Sequence, residues 1–357
     1  MSILTELGQA AQAGVALPEV IADRCVHTLA EIASCTACLD ACPQGAWIID
    51  EEMLGIDEAR CDGCDLCVPA CPQGAIVTRF SPARRKSAGK GVALAHCARS
   101  TVTGAREALM PCVHAIATVE LLRLYRDGTR YVITSAGDCA RCERGAGVSL
   151  KQRIEQINGL LSDRGQEPLI HRQLSATPWL QIWDQVNESA AKGGVSRRAF
   201  FRNAIKAPAE RLEEALETLH GAPTPPGVLL PRLSPSDRLP FAPAIDAARC
   251  NGCDACVQLC PHGAIALQED EGASCAYRIL PEQCTGCALC ADVCEQQAVG
   301  IEPWGRVKRE QVALQAHRCP ACGVRFHVPR EREAPTGRLC RICTQVNHHK
   351  NLYQVLD

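Results

Sequence analysis

The sequence predicts an α+β protein of several domains, and three features of the chain support this. First, its 357 residues exceed what one ordinary hydrophobic core holds. Second, two cysteine-rich segments flank a stretch in which short apolar strands alternate with helical patterns. Third, the chain has 25 cysteines but only 4% aromatic residues, so hydrophobic burial needs support from cross-links or bound metal.

Composition also limits the compartment and the partners. The formal net charge is -2, so no overall electrostatic field favours nucleic acid or an anionic membrane. The first twenty residues lack a basic segment followed by a continuous apolar run, and no run of about 18 apolar residues occurs. We therefore expect a cytoplasmic protein without membrane insertion, in which clustered thiols bind metal rather than form disulfides.

One cysteine spacing recurs along the chain. Residues 61–76 read CDGCDLCVPACPQGAI, with Cys-x2-Cys-x2-Cys-x3-Cys followed by proline. The same spacing returns in residues 250–265 and 284–299, and a shortened copy, CTACLDACPQGAW, occupies residues 35–47. In bacterial ferredoxins three cysteines of this motif bind one 4Fe-4S cluster and the fourth reaches a second cluster. A glycine lies where each complete loop must turn sharply beside the cluster: Gly63, Gly252 and Gly286.

Residues 25–80 and 247–303 resemble the bacterial-type dicluster ferredoxins, a family of electron carriers. Structural zinc is the alternative, but zinc takes two CxxC knuckles rather than this longer spacing. The spacing implies that each cluster takes three ligands from one motif and one from its partner. The four ligand sets are then Cys250, Cys253, Cys256 and Cys294; Cys284, Cys287, Cys290 and Cys260; Cys61, Cys64, Cys67 and Cys42; and Cys25, Cys35, Cys38 and Cys71.

Two departures from the motif bear on these sets. In the shortened copy Ile32 stands where the first cysteine belongs, and Cys25 is the obvious substitute. If Cys25 does not reach, the site holds a 3Fe-4S cluster instead. In the last copy Glu295 replaces proline and Gln297 replaces glycine, which removes no ligand and affects only the exit of the loop.

The middle of the chain predicts a small parallel sheet with right-handed crossovers. Strands are expected at residues 91–97, 129–137 and 168–173, with helices at 113–128 and 148–165. Ligand sites in such sheets lie beyond the carboxyl ends of the strands, where four cysteines fall. These are Cys97, Cys112, Cys139 and Cys142.

This segment resembles the delta subunit family of methyl-viologen-reducing hydrogenases, which passes electrons between hydrogenase and heterodisulfide reductase. The resemblance rests on GVALAHC, on PC before a helix, on a strand leading to GDC, and on NGLLSDRG. It implies that the four cysteines bind a 2Fe-2S cluster. Two alternatives stay open: Cys139 and Cys142 form a redox-active CxxC pair, or the four thiols bind zinc.

A connector and a linker follow. Residues 177–220 predict helices, with Ser196 as the N-cap of the second helix. The string SRRAFF resembles the twin-arginine export motif, but it is internal and charged residues follow it. Residues 221–243 contain seven prolines and predict an extended spacer. Cys275 lies outside every motif and receives no role.

The cysteine spacing of the tail, residues 305–357, predicts a zinc-ribbon-like module. Two CxxC knuckles lie 17 residues apart, a spacing typical of four thiolates around one zinc ion. Rubredoxin-type iron is the alternative, although CRIC lacks the glycine that follows such knuckles. The four ligands are Cys319, Cys322, Cys340 and Cys343.

The expected fold is therefore two ferredoxin-like dicluster modules, a central α/β parallel-sheet module and a zinc-ribbon-like tail. The expected function is that of an iron-sulfur electron-relay subunit that serves a hydrogenase, a dehydrogenase or a heterodisulfide-reductase-like enzyme. Alternatives are a thiol-disulfide reductase that uses Cys139 and Cys142, and a scaffold that donates clusters. The predicted domain bounds are 1–88, 89–176, 177–220, 221–243, 244–304 and 305–357.

Overall fold

A computed structural model of the chain shows two compact units. The first comprises Met1–Thr28, Thr36–Thr224 and Leu229–Pro231, and the second comprises Leu29–Cys35, Pro225–Val228 and Arg232–Asp357. The structure describes residues 16–49, 54–87, 89–145, 147–192, 223–231, 234, 237–269, 275–306, 308, 310–332 and 339–345. The predicted N-cap Ser196 and the SRRAFF string lie outside these residues.

The N-terminal cysteine-rich segment is built from short elements. In chain order these are β1 (Glu19–Val20), α1 (Val26–Leu29), α2 (Ala37–Ala41), β2 (Trp47–Ile49), β3 (Leu54–Ile56) and β4 (Ile76–Val77). Antiparallel pairing joins β1 to β4 and β2 to β3. Trp47 and Ile76 pack against the buried thiols of Cys38 and Cys67, so the cysteines themselves form much of this small core.

The central module is a five-stranded sheet with helices on both faces. It contains β5 (Ala83–Ser87), β6 (Lys90–Cys97), β7 (Leu109–Met110), α3 (Thr118–Arg126), β8 (Thr129–Ser135), α4 (Leu150–Asp163), β9 (Ile170–Leu174) and α5 (Ala176–Lys192). Strands β6, β8 and β9 run parallel, and β7 pairs in parallel with the end of β6. Helix α4 begins at a capping box in which Ser149 and Gln152 each accept the other's backbone N–H.

Alternate residues of the strands face different helices. Ala93 and Val132 pack into one core with α3 and α4, whereas Leu94 packs into a second core with Trp179 of α5. Trp179 is fully buried, and its indole N–H donates to the Ile133 carbonyl at 3.2 Å. Helix α5 is therefore part of the central module, although the sequence places residues 177–220 in a separate connector.

The sheet also differs from the all-parallel prediction. Strand β5 pairs antiparallel with β6, with Ala83 opposite Leu94 and Ser87 opposite Lys90. Its sequence, ARRKS, is charged and exposed on one side, as is usual for an edge strand. The sheet is consequently mixed, and its first strand lies inside the predicted N-terminal module.

Among the residues that the structure describes, the second unit contains two sheets. Its elements are β10 (Phe241–Ile245), α6 (Ala255–Gln258), β11 (Ile265–Glu269), β12 (Cys275–Ile279), α7 (Leu289–Asp292), β13 (Val299–Pro303), β14 (Gln311–Arg318), β15 (Arg325–Pro329) and α8 (Arg341–Gln345). Strand β10 pairs with β13, and a four-stranded antiparallel sheet has the order β11-β12-β14-β15. The second cysteine-rich segment and the tail therefore share one sheet across the predicted boundary at residue 304.

Part of the predicted spacer at residues 221–243 is folded. Residues Pro226–Leu229 form a 3-10 turn, Leu239 is fully buried, and β10 begins at Phe241. Within the described residues, no helix is long and apolar enough to cross a membrane.

Candidate metal centres

The three complete cysteine motifs share one backbone geometry. In each, the glycine between the first two cysteines is left-handed, with φ of 62° at Gly63, 72° at Gly252 and 81° at Gly286. The residue after the second cysteine is left-handed as well, with φ of 59° at Asp65, 63° at Asp254 and 64° at Ala288. Left-handed residues help to form backbone concavities in which N–H groups converge, and such concavities suit an anionic group.

The N–H groups of these loops point at the thiols. In each loop the glycine N–H donates to the thiol of the first cysteine. Burial raises the pKa of this thiol, and the hydrogen bond acts to lower it. The pairs are Cys61 with Gly63, Cys250 with Gly252, and Cys284 with Gly286. Hydrogen bonds to sulfur favour the thiolate, the form in which cysteine binds metal.

The fourth cysteine is held in the same way in all four motifs. Its sulfur accepts the N–H of the alanine four residues later, at 3.3 Å for Cys42 and Cys71 and at 3.2 Å for Cys260 and Cys294. The residue before that alanine is left-handed in every copy: Gly45, Gly74, Gly263 and Gln297, with φ of 56°, 58°, 64° and 48°. The exit turn at Gln297, whose geometry the sequence leaves open, thus matches that of the other three copies.

The structure brings together the cysteines of each C-terminal set. Burial raises the pKa of Cys256 to about 12, and the nearby thiols of Cys250, Cys253 and Cys294 act in the same direction. The second set lines one cavity, with apolar walls that include Ile265 and Ile301. Its four cysteines are Cys260, Cys284, Cys287 and Cys290. Four thiols around an apolar cavity, with N–H groups directed at sulfur, fit a buried 4Fe-4S cluster.

The N-terminal sets are brought together in part. The thiol of Cys42 lies near that of Cys61, and the thiol of Cys25 lies near that of Cys71. Cys25 is buried, at 7% exposure, and Cys38 packs in the same core as Cys71.

Comparison with family models identifies the two cysteine-rich segments. Residues 249–298 match a family model described as 4Fe-4S dicluster domain, and residues 33–76 match another model with the same description. The chain contains two 4Fe-4S dicluster domains. A search of curated proteins found no match to this chain.

The C-terminal dicluster domain carries a polar contact that the sequence analysis missed. The Asp254 carboxylate, next to Cys253, accepts the Tyr277 hydroxyl at 2.6 Å and lies 2.8 Å from Nε2 of His327. Tyr277 lies in β12 and His327 in β15. The contact therefore ties the sheet β11-β12-β14-β15, which we name the tail sheet, to the first cluster loop, residues 250–256. Motif spacing gives no indication of it, because the three residues are separated by up to 73 positions.

The central cysteines lie beyond the carboxyl ends of the parallel strands. Strand β6 ends at Cys97, and β7 ends two residues before Cys112. The Cys112 thiol hydrogen-bonds to Cys97, which lowers the pKa of Cys97 and raises that of Cys112. Cys139 follows β8, and its pKa is raised by burial and by the nearby thiols of Cys97 and Cys142. All four predicted residues therefore meet at one sheet edge, and Cys139 is exposed.

The tail cysteines form a compact group. The four sulfurs lie within 4.8 Å of one another, and the set is Cys319, Cys322, Cys340 and Cys343. Although burial acts to raise the pKa of Cys319, the N–H groups of Cys340 and Cys322 lower it to about 6. Gly323, with φ of 75°, closes the first knuckle. One tetrahedral ion fits this group.

Proposed function

We propose that the chain is an iron-sulfur electron-relay protein with four 4Fe-4S clusters and a fifth, 2Fe-2S cluster in the central module. The observation that carries the proposal is the pair of 4Fe-4S dicluster domains, whose three complete cysteine loops repeat one geometry. Clusters of this kind supply reversible one-electron chemistry. The protein's own contribution is to bury the sulfurs, direct N–H groups at them and keep water away.

The central cysteines support the fifth cluster. Four thiols meet beyond the strand ends, two of them buried, one half-buried and one exposed. Exposure of Cys139 offers a point at which an electron can leave toward a redox partner. We propose a partner of the hydrogenase, dehydrogenase or heterodisulfide-reductase class, and a cytoplasmic location.

We assign zinc to the tail group. Four thiolates within reach of one ion are typical of structural zinc sites, and such sites stabilise small folds with little core. Its role here is to hold α8 against the end of the tail sheet.

Anaerobic purification with metal analysis tests the whole assignment. We expect about eighteen irons, about eighteen sulfides and about one zinc per chain. Electron paramagnetic resonance (EPR) during stepwise reduction should show reversible 4Fe-4S signals and a separate 2Fe-2S signal. Absence of bound sulfide, or turnover of a small-molecule substrate by the isolated chain, would contradict the relay.

A thiol-disulfide reductase is the second candidate, because Cys139 is exposed and three residues from Cys142. The raised pKa of Cys139 opposes it, since the attacking species is a thiolate. Trapping a mixed disulfide at Cys139 would favour the reductase, and iron bound by both thiols would eliminate it.

A further inference from the structure

Arg144 joins the N-terminal dicluster domain to the central cysteine site. Its Nε donates to the Asp62 carboxylate at 2.6 Å, and its Nη2 donates to the Asp62 carbonyl at 3.1 Å. Its Nη1 donates to the Pro111 carbonyl at 2.8 Å. One guanidinium thus binds two separate parts of the first unit in a fixed geometry.

Each contacted residue is next to a proposed ligand. Asp62 lies between Cys61 and Gly63 in the cluster loop, and Pro111 precedes Cys112 at the strand ends. The guanidinium therefore reaches the backbone that positions both sites.

The two sites share a buried cluster near Arg144. It contains Cys64 and Leu66 of the dicluster domain and Cys112 of the central module, with 6% to 8% of each residue exposed. Nothing in the cysteine spacing predicts this cluster, because Cys64 and Cys112 belong to different motifs.

The ion pair is also sheltered from solvent. The Arg144 side chain is 12% exposed and the Asp62 side chain is 26% exposed. Salt screens such a pair much less than one on the surface. Arg144 lies close enough for its positive charge to favour the thiolates of both Cys64 and Cys112.

We propose that Arg144 is a positioning residue that makes the N-terminal dicluster domain and the central cysteine site one electron path through the buried cluster of Cys64, Leu66 and Cys112. This inference rests on the proposed function, and it assigns the cluster of Cys42, Cys61, Cys64 and Cys67 as the one that serves the central site. A transfer along the path oxidises the centre at one site by one electron and reduces the centre at the other by one. No bond forms or breaks.

The test is an EPR-monitored redox titration of the anaerobically purified full chain, with dithionite as reductant. The signal of the central site is assigned by its loss in Cys112→Ser. The variants are Arg144→Met, Arg144→Lys and Asp62→Asn. Arg141→Met is the matched control, because Arg141 lies in the same loop with an 89% exposed side chain and pairs only weakly with Asp138, at 3.7 Å.

In Arg144→Met, loss of a positive charge should shift the potentials of both adjoining centres to more negative values. The magnetic coupling between the two reduced centres should weaken. Arg144→Lys retains the positive charge, so the reduction potentials of both centres should stay close to those of the wild type. The magnetic coupling between the two reduced centres should weaken in part. Asp62→Asn removes a negative charge, so it should shift the potentials in the positive direction, which a merely structural contact would not do. Arg141→Met should match the wild type.

The outcomes separate this inference from the proposed function. If the wild type has no signal assignable to the central cysteines, the fifth cluster is refuted. If that signal is present but Arg144→Met behaves as Arg141→Met does, the role of Arg144 is refuted. If Arg144→Met fails to bind clusters, the Asp62→Asn variant tests the role of Arg144 instead. Unchanged reduction potentials of both centres in Asp62→Asn would overturn the proposal.

Discussion

Replacing Gly252 with alanine should loosen the attachment of the tail sheet to the C-terminal dicluster domain. Gly252 lies in the first cluster loop, with φ of 72°. A β-carbon placed there would lie 2.1 Å from the carbonyl oxygen of His327 in β15 and 2.9 Å from its carbonyl carbon. Because the obstructing atoms are backbone, the strand must move away from the loop for alanine to fit.

The size of the effect follows from a comparison with Gly263. This glycine has φ of 64°, but a β-carbon there would meet no atom within 4 Å. Left-handed backbone alone costs a non-glycine residue about 1–2 kcal/mol. Overpacking against the strand adds about 1–3 kcal/mol. Gly252→Ala should therefore destabilise the contact by about 1–3 kcal/mol more than Gly263→Ala, which corresponds to about 5- to 150-fold in local opening.

Hydrogen exchange of the full metal-loaded chain, read by mass spectrometry, measures this difference. Amides of residues 250–256 and 325–329 should exchange faster in Gly252→Ala than in Gly263→Ala. Amides of the central sheet serve as an internal reference, because they lie in the other unit. Equal exchange in the two variants would refute the close approach of β15 to the cluster loop.

Three further predictions concern single residues. Gln297→Gly should stabilise the chain against urea by about 0.5–1 kcal/mol, because relief of the left-handed φ outweighs the lost hydrogen bond from Arg249. Gln297→Ala keeps the backbone strain, so it should not stabilise the chain. Cys25→Ser should lower the iron count per chain by about one if a 3Fe-4S cluster remains, or by about four if the cluster is lost. An unchanged iron count would exclude Cys25 as a ligand. Cys343→Ser should remove about one zinc per chain, and zinc retention would contradict the tail assignment. Cys275→Ser, outside every set, is the control for both metal counts.

The dicluster domains could be predicted from sequence because their ligands are local in the chain. Three cysteines within seven residues fix which sulfurs can reach one cluster, whatever the surrounding fold. The central strands ending at Cys97 and before Cys139 were predictable for a similar reason, since each is a short apolar run followed by cysteine.

The remaining architecture depends on long-range contacts that leave little trace in the sequence. The sequence does not predict strand β5, because ARRKS is a charged edge strand without a clear apolar pattern. It predicts helix α5 as part of a connector, because the burial of Trp179 depends on a sheet formed far upstream. The predicted boundary at residue 304 separates the tail, because the pairing of β14 with β12 is a matter of register and not of motif.

The shortened motif shows what the loop geometry depends on. The left-handed residue after the second cysteine is aspartate in two complete copies and alanine in the third, so no side-chain contact is common to all three. What the three share is a preceding Cys-x-Gly, which the shortened copy lacks because Ile32 and Ser34 stand in those places. There Thr36, the corresponding residue, has φ of -118° and precedes α2 without a left-handed turn. The left-handed conformation thus accompanies the first cysteine and its glycine, and the loop that lacks them offers one cysteine fewer. Cys25, buried near Cys71, is the predicted substitute.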